Sequence, residues 1–424
     1  MLINFSTKNF KSFKNRTFLA LNAEINEKDS VGRFTKLERD KYGLISHVAG
    51  VFGANGAGKS NLIEAMDYSK HLIQRSATNY TQGDELYCEP FKLSQASVQS
   101  PSEYEYLFQA GSSVYRYGFS HTSKRILEEW LFETPLKKGT RQRKWFTREY
   151  KADKKTYDWY INDEYISGSN SLKAGTRENA LFLSSAVRDN SKEVLPAFLW
   201  FKNNLHMIAS DERLGSAATA MKIHDGDKEH EIKSLLERAG IKFDDIQVHE
   251  EEIDKDFKLP TNIPTEIKKM IVDDLKGSKT YKSTFLKKDS NGNLVKFDFE
   301  EESSGTQVLY GLAWPLIDVL SRGSTLVVDE LHNNLHPHLL RFIIKLFNDQ
   351  KGSMNKGQLI FSSHEPSVMR ADTMSQEQIW FVEKDTNNIS TLYCLDDFKN
   401  RRTNKVVKPY LDGRFGAIPK IVNR

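Results

Sequence analysis

The stretch of sequence that decides the fold is Gly53-Ala54-Asn55-Gly56-Ala57-Gly58-Lys59-Ser60. It fits the pattern G-x-x-x-x-G-K-S, in which glycines allow successive backbone N–H groups to close around phosphate oxygens. The apolar run from Val48 to Phe52 precedes it, and the residues after Ser60 repeat apolar side chains with a helical period. A strand before the loop and a helix after it are the context that this motif requires. We therefore interpret the stretch as a Walker A loop.

Within this loop, the residue types predict individual roles. Nucleotide contacts are expected from every residue between Gly53 and Asn61, with ATP as the ligand. Lys59 is expected to reach the β- and γ-phosphates and to act in catalysis, while the Ser60 hydroxyl ligates Mg²⁺. The helix that starts here also points the positive end of its dipole at the phosphates.

A second motif is the apolar strand Leu326-Val327-Val328 followed by Asp329 and Glu330. Strands that end in acidic residues are common, but one that follows a Walker A loop at this distance indicates a Walker B strand. Asp329 is then expected to hold Mg²⁺, and Glu330 to orient and deprotonate the attacking water. His364 stands at the end of another apolar strand, where a histidine fits a catalytic switch residue that contacts the γ-phosphate.

The residues Ser303, Ser304 and Gly305 immediately precede an amphipathic helical pattern with Leu309, Leu312 and Leu316 on one face. One interpretation is a simple N-cap of that helix. The other is a signature loop, whose serine hydroxyl and glycine amides approach the γ-phosphate held by a second subunit. Both interpretations are compatible, because a helix N-terminus is an anion site in either case.

Composition excludes several classes of protein. Among 424 residues, 38% are hydrophobic and 28% are charged, which indicates a globular chain. Apolar runs fall short of the roughly 20 residues of a membrane helix, and the start does not resemble a signal peptide, so no membrane partner is expected. With Cys88 and Cys394 as its only cysteines, the chain has no disulfide framework, which favours the cytoplasm. A net charge of +4 does not by itself demand a nucleic-acid partner.

Hydrophobic patterning predicts an α/β protein with four sequence ranges. Residues 1–84 carry Walker A, and residues 85–176 form an antiparallel β lobe in which Gly111 to Ser113 join the strands of a hairpin. Residues 177–290 are predicted to be a mostly helical insertion, and residues 291–424 carry the signature, Walker B and the switch histidine.

Two other clusters leave alternatives open. The basic segment Lys137–Lys155, with interleaved Trp145, Phe146 and Tyr150, fits either a solvated hairpin or a surface that binds DNA. The histidines at 332, 336 and 338 suggest a metal site, although their place directly after Walker B explains them without one.

The Walker A loop, the Walker B strand, the residues Ser303 to Gly305 and His364 together resemble the corresponding motifs of ABC-type ATPases of the SMC and RecF clade. Asn9-Phe10-Lys11-Ser12-Phe13 looks like the N-terminal strand motif of that clade, whose polar residues lie near the nucleotide. The sequence departs from the clade at Glu302, where leucine is usual, and at His336, where aspartate is usual. The resemblance implies an ABC-type P-loop head that acts as a homodimer or higher oligomer, with two ATP molecules sandwiched between the chains.

A narrower resemblance joins the chain to the bacterial AAA-15/AAA-21-type ATPases, including proteins similar to RloA, AbiL and AriA. It rests on Glu330 to Pro337, Glu89 to Leu93 and the tail from Tyr410 to Pro419. That group implies anti-phage defence, in which an ATPase senses infection and controls a separate toxin or nuclease effector. The alternatives are a RecF-like DNA-repair ATPase and a scaffold that binds ATP without turning it over.

Overall fold

The computed structural model describes residues 1–24, 32–137, 139–208, 216–252, 279–350, 356–398 and 406–419. The chain divides into two compact units. The first unit comprises Met1–Ser210, Val319–Asn333 and Leu340–Arg424, and the second comprises Asp211–Asp318 and Asn334–Leu339. These units combine parts of the four ranges predicted from sequence, and those ranges stay a prediction.

The strands of the described residues are, in chain order, β1 Leu2–Lys8, β2 Thr17–Ala20, β3 Asn22–Ala23, β4 Phe34–Lys36, β5 Leu44–Ser46, β6 Val48–Phe52, β7 Ser102–Ala110, β8 Ser113–His121, β9 Ile126–Pro135, β10 Arg143–Lys151, β11 Thr156–Ile161, β12 Leu205–Ile208, β13 Asp245–Glu252, β14 Lys279–Lys288, β15 Leu294–Asp298, β16 Thr325–Val328, β17 Gln358–Ser363, β18 Ile379–Lys384 and β19 Ser390–Cys394. The α-helices are α1 Lys59–Asn79, α2 Gln95–Val98, α3 Ser169–Gly175, α4 Phe182–Arg188, α5 Leu195–Asn203, α6 Ala217–His224, α7 Glu229–Arg238, α8 Ser304–Arg322, α9 Pro337–Asn348 and α10 Val407–Leu411. The predicted α/β class is therefore confirmed.

A six-stranded sheet carries the motifs of the first unit. Its strand order is β12-β16-β17-β6-β18-β19, parallel throughout except for the last pair. Strands β6, β16 and β17 are buried along their whole length, as their uninterrupted apolar runs predict for a parallel sheet covered on both faces. Because parallel strands end at the same edge, the residues after these three strands meet there.

The first unit also contains a seven-stranded antiparallel sheet with the order β11-β10-β9-β8-β7-β1-β2. The predicted hairpin is confirmed, since β7 pairs with β8 in the register Tyr106↔Tyr117. Helix α1 contacts this sheet, where Ser69 Oγ and the Tyr106 hydroxyl are 2.7 Å apart in the core. The N-terminal strands β1 and β2 complete the sheet, so the β lobe extends beyond the range 85–176.

The second unit contains the three-stranded antiparallel sheet β13-β14-β15 with α6 and α7. Residues 177–290 were predicted to be mostly helical, but their described part also contains β12, β13 and β14. In β13 the acidic residues face lysines of β14, as Glu250 pairs with Lys279 and Glu251 with Lys282. Cross-strand charge pairs thus stabilise a strand that hydrophobic periodicity alone does not reveal.

Candidate functional site

The Gly53–Ser60 loop connects β6 to α1 and has backbone geometry that only glycine adopts easily. Gly53, Gly56 and Gly58 have φ values of 154°, 72° and 114°. A Cβ on Gly53 would lie 2.3 Å from the Val382 carbonyl oxygen, whereas a Cβ on Gly56 would meet no atom within 4 Å. The loop is therefore packed against β18 at its start and open around Gly56, which leaves room for a ligand close to the backbone.

The Lys59 side chain folds back along the loop and is only 4% exposed. Its ammonium donates to the carbonyl oxygens of Gly53 (3.1 Å) and Ala54 (3.2 Å) and lies 2.9 Å from Nε2 of His364. Burial lowers the pKa of Lys59, while the nearby carboxylates of Glu330 and Asp329 oppose that shift. A buried cation whose hydrogen-bond partners are neutral attracts an anion such as phosphate.

Asp329 and Glu330 follow β16 directly, and one hydroxyl links them. Ser362 Oγ, on the neighbouring strand β17, donates to the Asp329 carboxylate and accepts the backbone N–H of Glu330 at 2.7 Å. Asp329 is 6% exposed. Among the described residues the second Asp329 oxygen accepts no hydrogen bond and could contact a cation, and the Ser362 contacts fix the start of the turn that carries Glu330.

Glu330 occupies a left-handed backbone conformation with φ 52°, which is unfavourable for a side chain of this type. Strained residues of this kind are frequent at functional sites. Its carboxylate lies between two imidazoles: Oε1 is 3.4 Å from Nε2 of His364, and Oε2 is 3.4 Å from Nε2 of His332. The structure thus brings together three residues that the sequence marks as site candidates, Lys59, Glu330 and His364, and adds His332.

Both histidines favour the neutral imidazole. Burial lowers the pKa of His364, and the Lys59 cation lowers it further. Burial also lowers the pKa of His332, although the Glu330 carboxylate opposes that shift. At neutral pH each ring therefore has one N–H and one lone pair, and the assignment of each nitrogen depends on its neighbour.

The Asn9–Phe13 motif contacts the chain directly after the loop. Ser12 Oγ accepts a hydrogen bond from Asn61 Nδ2 at 2.7 Å and lies 2.7 Å from Ser390 Oγ. Asn9 donates to the carbonyl oxygens of Ser97 (2.8 Å) and Ser100 (2.9 Å), which ties the segment after residue 88 to the same motif. The sequence pattern indicates Asn9–Phe13, but it does not indicate Ser390 or Ser362, because short serine-containing strands carry no distinctive signal.

A cavity of about 830 Å³ opens over the first half of the loop. Besides Gly53 to Ala57 and His364, its walls include Tyr410, Leu411 and the segment 417–419. The tail motif that supported the narrower family resemblance therefore lies beside the Walker A loop.

The residues Ser303–Gly305 belong to the second unit. Ser303 Oγ accepts the backbone N–H of Thr306 at 3.2 Å, so Ser303 caps α8 as the simpler interpretation predicts. Ser304 is exposed and Gly305 is half-buried, with space for a Cβ limited by the Asn334 carbonyl oxygen at 3.0 Å.

The donor set at the edge of the six-stranded sheet fits a hard divalent cation. Asp329 and Ser60 would offer a carboxylate oxygen and a hydroxyl oxygen, and Mg²⁺ takes one or two carboxylates together with phosphate oxygens and water. Across the described ranges, no group of three or more His, Cys, Asp or Glu side chains is arranged to bind a metal. The histidine cluster at 332, 336 and 338 thus gains no support as a zinc site.

Among the described residues of the basic segment Lys137–Lys155, Arg148 is buried, whereas most of the other basic side chains are exposed. Arg148 is 1% exposed and donates to the carbonyl oxygen of Ala180 at 2.7 Å, while Arg143 and Lys151 pair with glutamates. Phe146 is fully buried, and Trp145 packs against Tyr165. Lys138 lies outside the described residues. This arrangement favours the solvated hairpin over a surface that stacks nucleic-acid bases.

Comparison with known families identifies the chain's class. The profile of the AAA_21 family, described as "AAA domain, putative AbiEii toxin, Type IV TA system", matches residues 48–370, from strand β6 to beyond His364. The chain belongs to this AAA family. The prediction of an AAA-21-type P-loop ATPase is thereby confirmed, whereas the narrower resemblance of this AAA protein to RloA, AbiL and AriA stays a prediction.

Solved structures similar to this AAA protein include three SMC heads. The SMC head domain from Thermotoga maritima is 14% identical with a TM-score of 0.37, over 93% of this chain and 98% of that chain. An SMC head bound to the C-winged helix domain of ScpA is 14% identical with a TM-score of 0.41, over 93% of this chain and 97% of that chain. An Smc head with an extended coiled coil, bound to the C-terminal domain of ScpA derived from Pyrococcus furiosus, is 12% identical with a TM-score of 0.39, over 93% of this chain and 96% of that chain. At identities this low, the binding partners of those SMC heads are not assigned to this chain. None of the curated proteins compared matches the chain significantly. Within the described residues, no helix is both long and apolar enough to cross a bilayer.

Proposed function

We propose that this chain hydrolyses ATP to ADP and phosphate at the Gly53–Ser60 loop. The observation that carries the proposal is the convergence of Lys59, Glu330 and His364 at one edge of the six-stranded sheet, with 2.9 Å between Lys59 Nζ and His364 Nε2. These side chains come from three separate parts of the sequence. A cation, a carboxylate and neutral imidazoles beside a glycine loop match the requirements of phosphoryl transfer, which depends on positioning and charge neutralisation.

In this proposal the loop amides and Lys59 hold the phosphates. Phosphate oxygens would replace the carbonyl groups that now accept hydrogen bonds from the Lys59 ammonium, giving the buried cation an anionic partner. Asn61 and Ser12 keep the first turn of α1 in place through their 2.7 Å contact.

Asp329 and the Ser60 hydroxyl would hold Mg²⁺, which supplies positive charge to the phosphate oxygens when it is bound. The role of Ser362 is to orient Asp329 by donating to one of its oxygens. Glu330 accepts the proton of the attacking water, and its strained backbone sets the direction of the carboxylate. His364 faces both Lys59 and Glu330 and is placed to report on the γ-phosphate.

We further propose that two copies of the chain enclose the nucleotide. The exposed serine at the start of α8, Ser304, together with Ser303 and Gly305, would complete the site of the second copy, since the N-terminus of a 19-residue helix favours an anion. Hydrolysis would then remove the γ-phosphate that bridges the two copies and allow them to separate.

The role that we propose for this cycle is the control of a separate toxin or nuclease effector in a bacterial anti-phage system. The description of the chain's family, which names a putative AbiEii toxin and a type IV toxin–antitoxin system, supports a link to such systems, and the separate effector is part of the proposal. A RecF-like repair ATPase remains the second candidate. DNA-stimulated hydrolysis that is lost when exposed Arg141, Lys154 and Lys155 are neutralised would favour repair.

The proposal predicts a loss of ATP binding in one variant and a loss of turnover in another. Lys59→Ala removes the buried cation and should abolish ATP binding. Glu330→Gln should keep ATP binding but lower turnover by at least about 100-fold, because it removes the base. Equilibrium binding of a fluorescent ATP analogue and phosphate release measure the two properties, and light scattering should show that Glu330→Gln accumulates a dimer with ATP.

Controls separate these effects from general damage. Glu85→Gln changes an exposed glutamate and should behave as wild type. Adding Ser304→Arg to Glu330→Gln should prevent the dimer without weakening ATP binding. Wild-type turnover in Glu330→Gln would disprove the assignment of the base, and tight ATP binding with no turnover in the unaltered chain would indicate a scaffold instead.

A further inference from the structure

The carboxylate of Glu330 has an imidazole nitrogen beside each oxygen. His364 Nε2 is 3.4 Å from Oε1, and His332 Nε2 is 3.4 Å from Oε2. The two rings are 5.5 Å apart at 76°, so they approach the carboxylate from different directions. Only the contact with His332 can be a hydrogen bond to Glu330, because His364 already accepts a hydrogen bond from Lys59.

The Lys59 ammonium has only protons to offer, so an imidazole nitrogen at 2.9 Å from it must accept. Nε2 of His364 is that nitrogen, since the distance from Lys59 Nζ to Nδ1 is longer, at 3.3 Å. A neutral His364 therefore carries its proton on Nδ1 and presents a lone pair on Nε2. That lone pair cannot donate to Oε1 of Glu330.

His332 has the opposite arrangement. Its Nδ1 is buried and has no hydrogen-bond partner among the described residues, while its Nε2 faces the Glu330 carboxylate. A proton on Nδ1 would be buried without an acceptor, which is unfavourable. The proton therefore belongs on Nε2, where the carboxylate accepts it. Catalytic hydrogen bonds are often long before substrate binds and shorten afterwards.

We propose that His332 is a positioning residue that holds Oε2 of Glu330 through its Nε2–H and so directs Oε1 toward the attacking water. The backbone of Glu330 is already fixed, because its N–H bonds to Ser362 and its carbonyl accepts the N–H of Asn333 at 2.8 Å. Rotation of the side chain is the remaining freedom, and His332 is placed to restrict it. This inference rests on the proposed ATPase function.

The test uses the full chain with His332→Phe, which keeps the ring volume but lacks an N–H, and His332→Gln, which keeps an N–H donor. His332→Phe should lower kcat by about 10- to 100-fold, the effect of a misdirected catalytic group, with KM for ATP and ATP binding unchanged. His332→Gln should recover a large part of kcat. His71→Phe, at an exposed position of α1, is the matched control and should leave kcat at the wild-type value.

A double variant identifies the route of the effect. In a Glu330→Gln background, His332→Phe should cause no further loss, because its partner is already gone. Additive losses, or wild-type kcat in His332→Phe, would overturn the proposal. If Glu330→Gln alone retains turnover, the proposed ATPase mechanism fails; if it loses turnover while His332→Phe does not, only the role of His332 fails.

Discussion

At the residue scale, the hydroxyl of Ser362 joins the two acidic residues on which the proposed chemistry depends. It donates to the Asp329 carboxylate and accepts the Glu330 N–H, so one small side chain orients both. The sequence identifies Asp329 and Glu330, since an apolar strand precedes them. It does not identify Ser362, whose role depends on the register that places Val328 opposite Phe361.

Ser362→Ala should lower the free energy of unfolding by about 1–3 kcal/mol, because the Glu330 N–H and the Asp329 carboxylate lose their shared partner. Urea denaturation followed by circular dichroism measures the change. Ser185→Ala is the control, since the buried Ser185 hydroxyl has no partner among the described residues, and its removal should cost less. Equal stability of the two variants would contradict this role for Ser362.

A site residue can be predicted from the sequence when the pattern that marks it is local, and not when its role depends on a tertiary contact. Lys59, Asp329, Glu330 and His364 are predictable because each stands next to a strand or helix with a strong local pattern, and the structure brings them to one edge. For His332 the sequence indicates only a position after Walker B. Its contact with Glu330 depends on the turn at φ 52°, which no periodicity reveals.

At the element scale, strand β18 supports the start of the Walker A loop. The carbonyl oxygen of Val382 lies 2.3 Å from the position that a Cβ of residue 53 would take, whereas a Cβ on Gly56 would meet no atom within 4 Å. The two glycines therefore serve different purposes, although they look equivalent in the sequence motif.

Gly53→Ala and Gly56→Ala separate these purposes. Gly56→Ala should cost about 1–2 kcal/mol of unfolding free energy, from its positive φ alone. Gly53→Ala should cost clearly more, because backbone atoms of the loop or of β18 must also move to relieve a 2.3 Å contact. Thermal and urea unfolding of the two variants provide the comparison, and a smaller loss in Gly53→Ala would show that the loop is not anchored on β18.

Elements with a clear period were predictable, and elements formed by distant pairing were not. The face of α8, the β7–β8 hairpin and strands β6, β16 and β17 follow from local patterns of apolar residues. Strand β13 was not predictable, because it carries consecutive glutamates and forms by pairing with β14. The addition of β1 and β2 to the seven-stranded sheet depends on pairing between residues about a hundred positions apart.

At the scale of the whole molecule, buried titratable groups link stability to pH. His121 is fully buried beside Tyr104, with ring centroids 5.9 Å apart, and Tyr68 Oη lies 3.4 Å from its Nε2. Burial lowers the pKa of His121 from 6.5 to about 4. Between these two values the unfolded chain binds a proton that the folded chain does not.

Folding stability should therefore be unaffected by His121 above pH 6.5 and should fall as the pH decreases from about 6.5 to 4. The loss from this residue approaches about 3 kcal/mol at the lower limit. Urea unfolding between pH 4 and 7 should show a shallower decline in His121→Gln than in the wild type. His71→Gln, at an exposed site, should keep the wild-type slope; equal slopes in all three proteins would contradict the assignment.

The order of strands in the six-stranded sheet has a consequence for synthesis on the ribosome. Strands of the antiparallel sheet mostly pair with near neighbours in the chain, so they find partners soon after they emerge. Strand β6 must instead wait for residues 358–363 and 379–384, its partners on either side. Until then the backbone N–H and C=O groups on both edges of this apolar strand stay unpaired and open to other chains, which is the situation in which nascent proteins aggregate and chaperones bind. The same topology that assembles the phosphate site from distant segments thus delays its appearance until residues 379–384 have been made.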